Sequence, residues 1–174
     1  RDYETFSRMR PGDRYTDAHK IAVDRYEEAR RAAGQEAPYL GSPKDDALRR
    51  KFVPPYPVDK FRCKWRKLSA DQLSWTVTAH LGKDGYSHIH PDSDQGRTIT
   101  VREAARLQSF PDAFQFSGNR GDCFRQVGNA VPPRLAWALA TSVLQQLGYP
   151  VVSPTPVSDE ARDLDAIRAS LRTG

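Results

Sequence analysis

The chain has 174 residues, 38% of them hydrophobic and 28% charged, with a formal net charge of +5. That length holds one modest core, or a small domain with an appendage, and is short for a complete two-domain enzyme. No run of about 18 apolar residues marks a membrane span, and no basic-then-apolar leader pattern is present. Two cysteines are too few for a secreted disulfide framework, so a reducing cytoplasm is the expected compartment.

In chain order, a loop at Pro11-Gly12 precedes a helical pattern from Asp17 to about Ala32, with Ile21, Ala22, Tyr26 and Ala29 as a weak apolar face. Residues 33–60 read as irregular, because Gly34, Pro38, Gly41, Pro43, Pro54, Pro55 and Pro57 interrupt regular structure. Strands are expected over 61–67, 75–80 and 86–90, the last two joined by Leu81-Gly82-Lys83-Asp84-Gly85, a hairpin-type turn. Thr100 and Glu103 are spaced as a capping box, so a helix of two to three turns is expected from Val101, ending before Pro111. On it Arg102 and Arg106 share one face, opposite Ala104 and Leu107. A second helix runs from Pro132 to Leu147, where Leu135, Ala136, Leu139, Ala140, Val143, Leu144 and Leu147 recur at helical spacing and Gly148-Tyr149-Pro150 stops it. A linker over 151–156 leads to a short amphipathic helix from Ser158 or Asp159, with Leu164, Ile167 and Leu171 on one side.

Charge is unevenly placed. Residues 1–69 carry 17 Lys and Arg against 11 Asp and Glu, an excess of six, whereas residues 70–174 carry 10 against 11. Within the basic part, Phe61-Arg62-Cys63-Lys64-Trp65-Arg66-Lys67 alternates large side chains with cations. Such a segment can pack one side and offer Arg62, Lys64, Arg66 and Lys67 to phosphates, although a basic run can also be only a solvated face. His80, His88 and His90 lie near Asp84 and Asp92, but without a third or fourth ligand at a recognised metal-site spacing they read as polar strand ends, and no metal is expected. Cys63 and Cys123 lie in unrelated segments; the Cys63 thiol has flanking cations but reads first as a small packed side chain.

Two segments carry a family resemblance. Arg97-Thr98-Ile99-Thr100-Val101-Arg102-Glu103, continuing to Ser109-Phe110-Pro111-Asp112, resembles the ninth sequence motif of cytosine-5 DNA methyltransferases. Arg125-Gln126-Val127-Gly128-Asn129-Ala130-Val131-Pro132-Pro133 resembles the tenth, and Trp75-Thr76-Val77-Thr78-Ala79 is similar to the end of the family's target-recognition domain. The resemblance covers the chain from about Thr76 to Leu147, and residues 1–70 correspond by position alone to the variable, sequence-reading region.

In that family a cytosine is flipped from the duplex, its C6 is attacked by the cysteine of a Pro-Cys motif, and a methyl group passes from S-adenosylmethionine to C5. Neither Pro-Cys nor Glu-Asn-Val occurs in this sequence, where Cys63 follows Arg62 and Cys123 follows Asp122. The resemblance therefore implies a C-terminal, DNA-reading portion with no catalytic residue of its own. Its partners would be double-stranded DNA and a catalytic N-terminal region, in the same protein or in a separate subunit; a non-catalytic DNA-binding module is the alternative. It also implies a bacterial, cytoplasmic protein that meets the nucleoid through DNA.

Residue by residue, the resemblance assigns Asn129 and Val131 to S-adenosylmethionine contact, with helix capping as the other role open to Asn129. It places Thr76 near the flipped nucleotide, or as a strand residue, and makes Arg97, Arg102, Glu103 and Arg106 organisers of the recognition domain. The implied fold is mixed α/β. Residues 1–120 would form a small recognition domain of short strands and loops that includes the ninth-motif helix. Residues 121–150 would return to a Rossmann-like methyltransferase sheet outside this chain, and 151–174 would be linker and short helix. Without that sheet the apolar stripe ending at Leu147 is exposed, and the isolated chain is expected to associate, dimerise or be marginally stable.

Overall fold

The computed structural model of the chain describes residues 2–61, 64–83 and 85–151. Arg62, Cys63, Asp84 and the expected C-terminal helix with Leu164, Ile167 and Leu171 lie outside the described residues. Among the described residues there are six α-helices: α1 (Asp2–Arg8), α2 (Tyr15–Ala33), α3 (Pro43–Phe52), α4 (Val101–Leu107), α5 (Arg120–Asn129) and α6 (Pro133–Gln146). Tight 3₁₀ turns occupy Gly34–Glu36, Ala79–Gly82 and Gly85–Ser87. The chain divides into two compact units, Arg1–Arg134 and Leu135–Gly174.

In the first unit, α2 begins where Asp17 reaches back to the Arg14 amide at 3.0 Å, and it buries Tyr15, Ala18, Ala22, Arg25 and Tyr26 at helical spacing. The small Ala18 and Ala22 allow close packing, and Arg25 is tolerated inside because its guanidinium donates to Thr5 Oγ1 at 2.7 Å and pairs with Glu4. Below α2 lies an aromatic centre. Trp65 is fully buried between Phe6 and Tyr86, with ring centres 5.2 and 5.1 Å away at steep angles, each such pair contributing about 1 kcal/mol beyond its buried area.

Residues 33–60 hold a helix that the proline count hides. Ser42 caps α3 by accepting from the Asp45 amide at 3.2 Å, Pro43 occupies the first turn, and Asp45 and Asp46 precede Arg49, Arg50 and Lys51 in the sense that suits the helix dipole. Asp45 is buried and joins α3 to α2, accepting from Tyr26 Oη at 2.6 Å, from Arg30 and from the Gly41 amide at 2.9 Å. These donors, Tyr26 first, hold its carboxyl below the usual range.

The mixed α/β expectation is overturned. Among the described residues no strand forms, and the only β pairing is two isolated bridges, Lys67 with Ile89 (parallel) and Ile89 with Thr98 (antiparallel). Three extended pieces cross at Ile89 one residue deep: Ile89 donates to Arg66 O and accepts from the Leu68 amide, both at 2.9 Å, while His90 donates to Arg97 O at 2.8 Å. The physical reasons are local. Trp65 takes a left-handed φ of 51°, which ends the extended run predicted over 61–67. The hairpin predicted through Leu81 to Gly85 is replaced by tight turns, closed by Lys83 N to His80 O at 2.9 Å and His88 N to Gly85 O at 3.0 Å. The fold of the first unit is helices and ordered loops, not helices on short strands.

The second core lies beneath α4 and α5. Leu68, Val77, Leu81, Ile99, Ala104, Ala105, Phe124 and Val127 cluster there, so the connecting segments and both helices close on one apolar centre. In the second unit, α6 runs on from Leu135 and ends where Gly148 N reaches Gln145 O at 3.1 Å and Tyr149 N reaches Leu144 O at 3.0 Å. Its Leu135, Leu139, Val143 and Leu144, and Leu147 just beyond it, are exposed. Among the described residues no helix is long and apolar enough to cross a membrane.

Candidate nucleic-acid and cofactor interface

The ninth-motif segment builds the joint that presents the candidate site. Thr100 caps α4 by accepting from the Glu103 amide at 3.2 Å, and Glu103 reaches back to the Thr100 amide at 2.6 Å, the reciprocal pairing expected from the spacing. Glu103 also accepts both terminal nitrogens of Arg97 at 2.8 Å, a bidentate pair, while Arg97 Nε donates to Gln95 Oε1 at 2.8 Å. The Arg97 guanidinium, aided by the Thr100 donors, holds the Glu103 carboxyl down at about 2. Arg102 donates to Phe114 O at 2.9 Å, and Arg106 forms a bidentate pair with Asp112 at 2.8 and 2.9 Å. These three arginines are therefore engaged with the loop before α4 and the loop that follows it.

That second loop leads into α5, which contains most of the tenth motif. Asn119 caps it, accepting from the Asp122 amide at 3.0 Å, so Arg125 to Asn129 form its last turns. The Asn-Arg-Gly-Asp capping pattern over 119–122 is the sequence signal for this helix. Asn129 is the last residue of α5 and does not cap α6; its side chain is exposed. Val131 lies in the connector before α6 and is 60% exposed.

Two contacts fix the end of α5. The buried Gln108, which caps the end of α4, donates from Nε2 to Val127 O at 3.1 Å and Ala130 O at 3.4 Å. On the other side the backbone of Thr78 and Ala79 lies against Gly128: a Cβ there would stand 2.4 Å from Thr78 O and 2.8 Å from Ala79 Cα. Only glycine admits that approach. Thr76, two residues before Thr78, is exposed in a segment without regular structure, and Trp75 beside it carries two cations, with Arg66 and Arg14 at 4.8 and 5.8 Å from its ring centre.

The other basic residues of the 61–67 segment divide. Lys64 is half-buried, its Nζ 3.9 Å from the Tyr56 ring centre and 5.2 Å from that of Phe61. Lys67 is fully buried and donates to Phe6 O and Ser93 Oγ, each at 2.8 Å. Burial pushes its pKa down, against the opposing pull of Asp92, Asp13 and Asp94. Its ammonium stitches α1 to the Asp92–Asp94 loop and presents no charge at the surface. Similarly, His88 is buried with Nδ1 2.9 Å from Ser87 Oγ, whereas His90 faces Glu103 at 3.6 Å. Burial lowers the pKa of both imidazoles.

Comparison with known proteins agrees with the motif reading. The model of the C-5 cytosine-specific DNA methylase family matches residues 3–145, and the chain belongs to that family. A protein of Oceanobacillus iheyensis provisionally named type II methyltransferase M.OihORF3336P is 46% identical over 151 residues, which cover 84% of this chain and 31% of that protein. Type II methyltransferase M.Bpa9945I of Bacillus paralicheniformis is 48% identical over 86 residues, 49% of this chain and 18% of its own length. DNA (cytosine-5)-methyltransferase 3 of Arabidopsis thaliana is 59% identical over 59 residues, 34% of this chain and 4% of its own length. The chain thus spans less than a third of each of these relatives. No solved structure matches.

Proposed function

We propose that the chain is the DNA-reading and closing portion of a methyltransferase that moves a methyl group from S-adenosylmethionine to C5 of cytosine in a specific duplex sequence. The observation that carries this reading is the α5–α6 junction. There Asn129 and Val131, the two residues that match cofactor-touching positions of the tenth motif, are both exposed on backbone clamped by Gln108 and Gly128. An exposed carboxamide beside an exposed aliphatic side chain suits one edge of a site for a polar, amphipathic cofactor. When bound there, S-adenosylmethionine supplies the activated methyl group. The thiolate and the ring-steadying glutamate come from a catalytic region with Pro-Cys and Glu-Asn-Val.

On the DNA side, Thr76 and its neighbours Trp75, Arg66 and Arg14 form the reading surface, with Arg62 and Lys64 adding positive charge. Arg49, Arg50 and Lys51 at the end of α3 make no ion pair among the described residues and add sequence-independent phosphate affinity. The exposed apolar residues of α6 would cover the catalytic sheet, and the protein would meet the nucleoid through its DNA contacts.

Two titrations test this. Anisotropy of labelled duplex DNA against the chain should give affinity that falls steeply with salt. With the catalytic region joined to the chain, Asn129→Ala should weaken S-adenosylmethionine binding about tenfold, the loss of roughly one hydrogen bond to a charged group. No DNA affinity at low salt, together with unchanged cofactor binding in the Asn129 variant, would leave a fold without this function.

A further inference from the structure

The two halves of the proposed site are in backbone contact at Gly128, a residue outside the assigned set. Gly128 immediately precedes Asn129 on the cofactor side. Any Cβ at 128 would lie 2.4 Å from the carbonyl oxygen and 2.7 Å from the carbonyl carbon of Thr78, two residues beyond the DNA-side Thr76. Real Cβ contacts do not fall below 3.0 Å, so the segments would have to separate by at least 0.6 Å. No side chain can swing away to relieve this, because the facing atoms are all backbone. The same Thr78 carbonyl accepts from the Leu81 amide at 3.0 Å and so closes the Ala79–Gly82 turn, whose Gly82 also lies near α5, less tightly: a Cβ there would stand 3.1 Å from Gly121 O.

From the opposite side, Gln108 is buried with its amide nitrogen between the carbonyls of Val127 and Ala130, which bracket Gly128 and Asn129. The end of α5 is therefore held on two sides, by a donor from α4 and by the backbone of the DNA-side segment. Packed backbone of this kind moves as a unit or not at all, since a small shift cannot be absorbed by rotamer changes.

We propose that Gln108 and Gly128 are positioning residues that lock the cofactor-side end of α5 to the Thr76–Ala79 segment, so that binding of DNA and binding of S-adenosylmethionine are energetically coupled through this joint. The proposal rests on the assignment of Asn129 to the cofactor and Thr76 to DNA. Coupling of this kind is reciprocal: whatever factor DNA applies to cofactor affinity, cofactor applies to DNA affinity. Gln108→Met keeps the side-chain length and removes the donor. Gly128→Ala forces the separation directly, and Gln108→Met serves if that variant does not fold.

The test has two readouts. In the 174-residue chain, hydrogen exchange is followed at the Ala130 amide, which donates to Val127 O, and at the Leu81 amide, which donates to Thr78 O. Gln108→Met should accelerate both, by about tenfold if the joint loses the equivalent of one hydrogen bond. Acceleration confined to Ala130, or at neither amide, overturns the joint. In the chain joined to its catalytic region, the S-adenosylmethionine dissociation constant is measured with and without duplex DNA. The ratio of the two should move at least fivefold toward one in either variant, and an unchanged ratio overturns the coupling. Asn129→Ala separates the two levels: if it leaves cofactor affinity intact while Gln108→Met still accelerates Leu81, the cofactor assignment fails and the mechanical joint stands.

Discussion

Replacing Glu103 with Gln isolates the charge at the centre of the ninth-motif knot. Gln can still reach back to the Thr100 amide as a capping-box partner, so the helix start survives while the bidentate pair with Arg97 loses its anion. A carboxyl lowered from 4.5 to about 2 corresponds to about 3 kcal/mol of preferential stabilisation of the folded state. The Arg97 and Glu103 side chains are 35% and 31% exposed, so solvent screening reduces this to about 1–2 kcal/mol. Because the folded-state value is depressed, the contribution is complete above pH 4.5 and disappears as pH falls through about 2. Urea unfolding of the native chain and of Glu103→Gln at pH 7 should therefore differ by about 1–2 kcal/mol, and the gap should close as both are taken toward pH 2. A gap below about 0.3 kcal/mol at pH 7, or one that persists unchanged at the acid end, would refute the assignment of this stability to the Arg97–Glu103 charge pair.

Other substitutions probe separate parts of the structure. Lys67→Met should lower stability by about 1–3 kcal/mol in chemical denaturation, since Phe6 O and Ser93 Oγ lose a shared buried donor. It should leave the salt slope of DNA binding unchanged, whereas a phosphate-contacting Lys67 would lower that slope by about one. Ser42→Ala removes the α3 cap and should cost about 1 kcal/mol, measured by thermal melting, with Ser42→Gly costing only a few tenths. Reversing Arg49 and Arg50 to Glu should weaken DNA binding similarly on all sequences and flatten its salt dependence, as phosphate contacts do; a loss confined to one sequence would contradict that role.

Where local rules and tertiary demands agree, the sequence is readable. The Thr100–Glu103 capping box, the start of α4 and the stop at Gly148 follow from short-range chemistry, and the structure has each where the residues require it. The proline-rich stretch misleads because a proline at the first turn of a helix begins α3 as readily as it breaks another, and Ser42 was the signal that decides. The strand expectation fails for a different reason. Alternation in 61–67 describes which side chains turn inward but not whether a partner strand exists, and here Trp65 turns left-handed while Lys67, not an apolar residue, points into the core.

Site residues show the same division. Motif resemblance alone proposes Asn129 and Val131 as cofactor contacts, whereas nothing in the sequence marks Gln108 and Gly128, whose contacts are a hydrogen bond across 19 residues and a backbone approach across 50. Spacing along the chain encodes neither. The cations of 61–67 looked alike in sequence, and burial separated them into a structural Lys67 and ring-stacked Lys64 and Arg66.

The central claim, that this chain supplies the DNA-reading and closing part of a cytosine-5 methyltransferase, is tested most directly by complementation. The chain is combined with a family catalytic region that carries Pro-Cys and Glu-Asn-Val but lacks its own ninth and tenth motifs, and transfer of labelled methyl from S-adenosylmethionine to duplex DNA is followed. Methylation at C5 of cytosine that requires both pieces and falls with Asn129→Ala is the predicted result. A properly assembled pair that binds DNA yet transfers no methyl group would contradict it.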